Sequence, residues 1–179
     1  DNADITTGGG DVALAITFAD TADGDLTIRN DSDIVAANAR ALDMAVSGSG
    51  TAVAVLIESS TFTSATAEDL FLVNNVGAQT DATIRNNTFA NSGAANDVVI
   101  RSTGSAAAGT RIDLNLVGNG DAASTIFLDT DEIVNPPFNF GVVDRDNIDA
   151  NNAATVLLNP AAANFENIDA SDVELPNGP

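Results

Sequence analysis

Three aspartates lie close together in a polar segment near the C-terminus and are the first candidates for metal chemistry. Asp144, Asp146 and Asp149 fall in the run DRDNIDANN. Hard cations such as Ca²⁺ bind six to eight oxygens from carboxylates, amide carbonyls and water. An EF-hand loop would need an oxygen-bearing residue where Ile148 stands and a glycine after it. The three aspartates are therefore candidate calcium ligands, with a solvated acidic loop as the alternative, and no other cofactor is expected.

A second acidic group precedes a proline pair. Asp129, Asp131 and Glu132 are followed by Pro136–Pro137, and proline cannot donate to a strand ladder, so this stretch is expected at an edge or a corner. The glycine-rich repeat of some calcium-binding coils is present only as a fragment at residues 7–11. Neither feature adds a metal site to the first group.

Polysaccharide cleavage is the enzymatic activity for which acidic side chains and arginines would be suited. Arg29, Arg85 and Arg101 are the basic candidates, but the chain has no Lys, His, Trp or Tyr. A net charge of −20 repels anionic polymers, nucleic acids and anionic lipid heads. We therefore expect no enzyme and no nucleic-acid partner, with a glycan-binding or glycan-cleaving protein as the alternative. No run approaches the length of a membrane span, so membrane insertion is not expected.

These residues must be positioned by a strand that recurs every 28 residues. Each copy is a triplet with apolar first and third residues, which is typical of a half-buried strand. The triplets begin at Leu14, Leu42, Leu70, Val98, Ile126 and Ala154. A fixed period of this size predicts stacked coils, each of which covers the apolar face of the next.

A second strand follows in each coil. A strict 28-residue step gives the apolar column Ile28, Leu56, Ile84, Ile112, Phe140 and Ile168. In the second copy, however, alternation favours Val53, Val55 and Ile57 inside instead of Leu56, so we expect this strand to gain or lose a residue between coils. Polar corners come next. Their asparagines are expected to stack and exchange amide hydrogen bonds, and Phe62 and Phe89 to turn back into the core.

The middle position of the repeated triplet faces outward and carries the clearest functional signal. Phe71, Val99 and Phe127 occupy it in three successive coils and would lie side by side on the outside of the rod. An exposed apolar stripe marks a contact surface. The alternative is that a loop or the C-terminal tail covers it.

Segments such as residues 84–89 (IRNNTF) and 114–119 (LNLVGN) resemble coils of right-handed parallel β-helix proteins. These are the pectate-lyase-like repeats of bacterial secreted and cell-surface proteins. The resemblance implies an all-β, single-domain, right-handed parallel β-helix of about six coils. It transfers no catalytic residue, because no lyase motif matches.

From these patterns we expect a lead-in or partial coil at residues 1–11, β-helix repeats at 12–158, and a tail or cap at 159–179. The expected function is a structural or adhesive module of a secreted or cell-surface protein. Self-association, end to end or lateral, is the expected partnership and could build an extracellular filament. The sequence opens at Asp1 as a processed chain would, which agrees with an extracellular location.

Overall fold

The computed structural model describes residues 3–90, 92–131 and 138–177, in which the chain winds as a parallel β-solenoid of about six turns. Within these residues three sheets run along the solenoid: sheet A has four strands, and sheets B and C have six each. The all-β class and the spacing of about 28 residues are as the sequence predicted. In the described residues, no helix has the length and apolar character needed to span a membrane.

Each coil contributes up to one strand to each sheet, in the order A, B, C. Coil by coil, the strands are β1 Asp4–Thr7, β2 Leu14–Phe18 and β3 Asp23–Ile28; β4 Asp33–Ala36, β5 Leu42–Val46 and β6 Ala52–Glu58; β7 Thr61–Ser64, β8 Leu70–Asn74 and β9 Gln79–Arg85; β10 Thr88–Phe89, β11 Val98–Ser102 and β12 Arg111–Val117; β13 Thr125–Thr130 and β14 Phe140–Val143; β15 Thr155–Asn159 and β16 Glu166–Ile168. Short 3₁₀ turns occupy Ala106–Ala108, Arg145–Asn147, Ala162–Asn164 and Ala170–Asp172.

Sheet B keeps the predicted register through five coils. Leu14 pairs with Leu42, and the same 28-residue step continues through Leu70 and Val98 to Ile126. The last coil departs, because Ile126 pairs with Val156 and not with Ala154. The placement of Ala154 in this column was therefore wrong by two residues. The longer polar loop at 144–152 accounts for the extra length.

In sheet C the number of residues between paired positions of successive strands changes from coil to coil. The alternation of residues 53–57 predicted such a change. Ile28 pairs with Ile57, which pairs with Ile84, which pairs with Leu116, so successive steps are 29, 27 and 32 residues. Leu56 faces outward beside Thr27 and Thr83, so the strict column through Leu56 was wrong. The longest step contains the 3₁₀ turn at Ala106–Ala108.

Sheet A forms the third side, and it includes part of the expected lead-in. β1 pairs with β4, so part of residues 1–11 belongs to the first coil. On the same sheet Phe62 and Phe89 point inward, fully buried, with ring centroids 5.8 Å apart. Both phenylalanines return to the core as predicted.

The corner after each sheet C strand depends on residues that tolerate a left-handed backbone. Asn30, Ser59, Asn86, Gly118 and Asp144 follow the successive strands β3, β6, β9, β12 and β14 with φ between 49° and 70°. Asn, Asp and Gly accept this conformation most readily. The polar corners in the sequence are therefore a backbone requirement.

Beside these corners runs a buried ladder of asparagine amides. The Nδ2 of Asn87 donates to Oδ1 of Asn119 at 3.0 Å, and the Nδ2 of Asn119 donates to Oδ1 of Asn152 at 3.2 Å. Asn119 also donates to the carbonyl of Ile84 at 2.7 Å. The predicted exchange of amide hydrogen bonds is confirmed, and it satisfies polar groups that would be costly if left unpaired.

The segment after β15 covers the apolar core at the C-terminal end. Phe165 is fully buried, and its ring meets Phe140 edge to face at 5.0 Å. β16 then adds the last strand of sheet C. The remaining tail turns back along the outside of sheet C, where the backbone N–H of Asn177 donates to Asp25 in the first coil.

Candidate interaction surface

A continuous apolar column runs across the outer face of sheet B. Val99 of β11 pairs with Phe71 of β8 on one side and with Phe127 of β13 on the other. These three side chains are neighbours, as the period predicted. The structure adds Leu157 of β15, which pairs with Phe127. We call Phe71, Val99, Phe127 and Leu157 the sheet B stripe.

Exposure along the sheet B stripe is greatest at its C-terminal end. Val99 is 5% exposed because phenylalanines flank it on both sides. Phe71 and Phe127 are half-buried, whereas Leu157 is 45% exposed. The apolar surface open to a partner therefore lies mainly at Phe127 and Leu157.

An arginine covers the other end of the stripe. The guanidinium carbon of Arg40 lies 3.6 Å from the centre of the Phe71 ring, within the range of a cation–π contact. The same guanidinium forms ion pairs with Asp43 at 2.8 Å and Glu68 at 3.0 Å. Burial opposes the charge of Arg40, but its hydrogen bonds to Glu68 and Asp43 outweigh that effect and raise its pKa. Phe71 is therefore shielded by a fixed cation.

A polar row borders the stripe along its neighbouring outward column. Arg101 pairs with Asp129 at 2.6 Å, and the Nδ2 of Asn159 donates to the other oxygen of Asp129 at 2.7 Å. The register places these residues two positions beyond Val99, Phe127 and Leu157 on the same face. The apolar column thus lies beside a row of paired polar groups, an arrangement typical of an interface rim.

The C-terminal tail does not cover the stripe, because its described contacts lie on sheet C. The backbone of Glu174 forms a hydrogen bond with Asp81 of β9. Burial, and then the nearby carboxylates of Asp113 and Glu174, raises the pKa of Asp81 to about 6. The tail is therefore attached to sheet C through a carboxyl whose pKa is raised above its ordinary value.

A buried pair of aspartates lies where sheet A turns into sheet B, and the sequence reasoning missed it. The carboxylate of Asp69 is fully buried; its Oδ1 accepts the Ser64 N–H at 2.5 Å, and its Oδ2 has no hydrogen-bond partner among the described residues. One coil on, Asp97 accepts the N–H groups of Ser92 at 2.5 Å and Thr125 at 2.7 Å. Burial, with Asp97 nearby, raises the pKa of Asp69 to about 8.

The three candidate calcium ligands are engaged separately. Asp144 accepts hydrogen bonds from two asparagine side chains of its own loop, Asp146 pairs with Arg145 at 2.7 Å, and Asp149 accepts the N–H of Val156 at 2.8 Å. Nowhere in the described residues are three or more acidic side chains grouped to hold a metal ion. Calcium binding by this loop stays a prediction, and the described residues contain no preassembled group of ligands that supports it.

Asp144 has a structural role of its own. Its backbone takes the left-handed conformation, with φ 49°, at the corner after β14. Hydrogen bonds from Asn151, and then from Asn147, hold the pKa of its carboxyl below the ordinary value. The polar composition of this loop is therefore explained by local hydrogen bonding.

The basic residues proposed for glycan chemistry do not converge. Arg85 pairs with Glu58 at 2.6 Å, and Arg101 is held by Asp129. Arg29 forms no ion pair with the described residues and lies at the N-terminal end of the rod. Of the second acidic group, Glu132, like Pro136–Pro137, lies outside the described residues. Glycan binding or cleavage thus stays a prediction that no assembled site supports.

The fold and these surfaces define a parallel β-solenoid with an apolar stripe on one outer face. Comparison with protein-family models, with curated proteins and with solved structures finds no match to this chain. Its function must therefore be argued from its own surfaces.

Proposed function

We propose that this chain is a non-enzymatic structural or adhesive module of a secreted or cell-surface protein, and that it associates laterally through the sheet B stripe. The observation that carries this proposal is the continuous apolar column from Phe71 to Leu157, which ends in a side chain that is 45% exposed. Monomeric soluble proteins rarely expose large contiguous apolar patches, and those that occur mark interaction sites.

The chemistry of the stripe suits contact between two copies. A flat sheet face offers the same column to its partner, as an isologous dimer interface requires. Salt at physiological concentration screens the net charge of −20, and burial of Leu157 and Phe127 supplies the attraction. Acidic composition without cysteine is compatible with an extracellular setting of the pectate-lyase-like repeat type.

The test is the oligomeric state of the double variant Phe127→Asp with Leu157→Asp. Sedimentation at 0.5 M NaCl should show concentration-dependent association of the wild-type chain. Because burial of a Leu side chain contributes about 1.5–3 kcal/mol, the double change should weaken association by roughly tenfold or more. Circular dichroism at the same concentrations checks that the variant keeps its strand content.

Val117→Asp is the matched control, since Val117 is an exposed apolar strand residue, 40% accessible, on sheet C. It should associate like the wild type. If Val117→Asp and the double variant associate equally, or if the wild-type chain stays monomeric at millimolar concentration, lateral contact through the stripe is wrong.

A further inference from the structure

The outer face of sheet B carries a second column beside the stripe, and the charge in this column changes sign between neighbouring strands. Val73, Arg101, Asp129 and Asn159 follow one another in the paired register. Arg101 and Asp129 form an ion pair at 2.6 Å, yet the arginine side chain keeps 40% of its surface exposed. The column therefore places a cation on β11 and an anion on the neighbouring β13.

We propose that two copies of this chain pair face to face and antiparallel, with a two-fold axis that runs between β11 and β13 along the strand direction. The inference rests on the lateral association proposed above and adds its orientation. The axis sets β11 of one copy opposite β13 of the other, and β8 opposite β15. Val99 then faces the second copy's Phe127, and Arg101 faces the second copy's Asp129.

This orientation matches both columns across the whole overlap. Leu157 is the most exposed residue of the stripe, and it meets the second copy's Phe71 with the Arg40 guanidinium that lies against that ring. In the polar column, each arginine has one aspartate beside it in its own copy and another across the contact. β2 and β5 lie outside the overlap, so Asp43 of β5 keeps its contact with solvent. No charge is therefore placed opposite its like.

Charge separates this orientation from the other two-fold arrangements of the same face. A parallel pair would set Asp43, which continues the stripe on β5, against the second copy's Asp43. An antiparallel axis on β11 would bring two Arg101 side chains together, and an axis on β13 would bring two Asp129 carboxylates together. Like charges opposite one another are unfavourable in an interface. An axis between β13 and β15 avoids this conflict, but it overlaps only two strands of each copy.

The size of the overlap predicts a weak dimer. It covers four strands of five or six residues. Strands lie about 4.8 Å apart and rise about 3.3 Å per residue, so the contacting face measures roughly 20 by 17 Å. This is smaller than a standard protein interface, and we expect the pair to form at high protein concentration. An isologous contact of this kind closes at two copies.

The orientation is tested by distances between spin labels on single cysteines, since the chain has no cysteine of its own. Asn38 and Ala122 are exposed residues that lie four positions before β5 and before Ile126 of β13, three coils apart. In the antiparallel pair, labels at residue 38 are offset along the rod by five strand spacings, about 24 Å, and labels at residue 122 by one, about 5 Å. Asn38→Cys should therefore give clearly the longer distance. Equal distances for the two variants would indicate a parallel pair and would overturn the proposal.

The charge pair is tested by reversing one member in each of two variants. Arg101→Asp leaves two acidic groups at the contact, and Asp129→Arg leaves two basic groups. Each variant alone should associate roughly tenfold more weakly than the wild type. An equimolar mixture should recover at least the wild-type association, because an acidic copy then meets a basic one. Circular dichroism checks that each variant keeps its strand content.

Arg85→Asp and Glu58→Arg are the matched controls. They reverse the members of a similar ion pair, at 2.6 Å between neighbouring strands of sheet C, and change the net charge by the same amounts. Neither control, alone or mixed, should change association more than about twofold. If the Arg101→Asp and Asp129→Arg mixture associates no better than either variant alone, the antiparallel pair is wrong.

The outcomes distinguish the orientation from the association itself. Suppose that Phe127→Asp with Leu157→Asp abolishes association while the label distances are equal or the mixture does not recover. Lateral contact through the sheet B stripe then stands, and the antiparallel pair is overturned. A wild-type chain that stays monomeric at millimolar concentration overturns both.

Discussion

Replacement of the buried Asp69 by asparagine should change how the stability of this protein depends on pH. Asp69 has one oxygen on the Ser64 N–H and another without a hydrogen-bond partner among the described residues. Its burial raises the pKa to about 8, from an ordinary value of 3.8. Between these two pH values the folded protein holds a proton that the unfolded chain has released. Stability therefore falls as pH rises through this window and levels off above pH 8.

The size of the effect follows from the width of the window. Each pH unit costs about 1.4 kcal/mol, so the interval from 3.8 to about 8 removes up to about 6 kcal/mol of unfolding free energy. Asparagine keeps an oxygen for Ser64 and carries no charge, but its amide hydrogens need acceptors, at a cost of about 1–3 kcal/mol. We expect Asp69→Asn to be no more stable than the wild type at pH 4. At pH 8.5 its unfolding free energy should exceed that of the wild type by about 3 kcal/mol or more.

The assay is equilibrium unfolding in urea, followed by far-ultraviolet circular dichroism because the chain has no Trp or Tyr for fluorescence. Measurements at pH 4, 5.5, 7 and 8.5 use constant ionic strength. Asp11→Asn, at an exposed position, removes one negative charge without touching the buried pair and controls for the general effect of net charge. If the profiles of Asp69→Asn and the wild type run parallel, the assignment of the proton to Asp69 is wrong.

Three further changes test other parts of the structure. Asn119→Ala should lower the unfolding free energy by about 3 kcal/mol or more, because it removes the partner of one side-chain N–H and the backbone N–H of Asn87 and of the carbonyl of Ile84; urea unfolding measures this. Phe62→Ala should cost about 3–5 kcal/mol in the same assay, because the ring is fully buried. Asp81→Asn should make tail docking independent of pH. In the wild type, ionisation of Asp81 near pH 6 should loosen the tail, which hydrogen exchange at residues 170–177 measures at pH 5 and pH 7.

Two of these predictions have a specific result that would refute them. A loss below about 1 kcal/mol for Asn119→Ala would mean that water replaces the amide ladder. The exposed Asn38→Ala is its control and should be neutral. Equal protection factors in the tail at both pH values, after correction for the base catalysis of amide exchange, would mean that Asp81 does not control tail docking.

Sheet B was predictable through its first five coils because one rule governs them: an apolar residue at every second position, with a constant coil length. Sheet C was only partly predictable, since the turn at Ala106–Ala108 lengthens one coil and moves the pairing to Leu116 opposite Ile84. Loop length changes register without changing alternation, so a strict period fails there while the inward residues remain recognisable.

The features missed from the sequence depend on contacts between coils. Arg40 covers Phe71 from 31 positions away, and the tail reaches Asp25 across 152 positions. Asp69 occupies the place that Ala41 fills one coil earlier, so apolar patterning gave no signal there. The signal was instead a repeated spacing: serine precedes aspartate by five residues at both Asp69 and Asp97, 28 residues apart.

The two ends of the rod bear on how copies of this chain could assemble. Stacking end to end into a filament requires that a C-terminal face accept an N-terminal face, copy after copy. Here the apolar core is covered by Phe165 at the C-terminal end and open at Leu14 and Ile16 at the N-terminal end. Contact between two N-terminal ends would close after one dimer and would bring together their exposed aspartates, among them Asp23 and Asp25. We therefore expect lateral contact through the sheet B stripe in preference to end-to-end stacking.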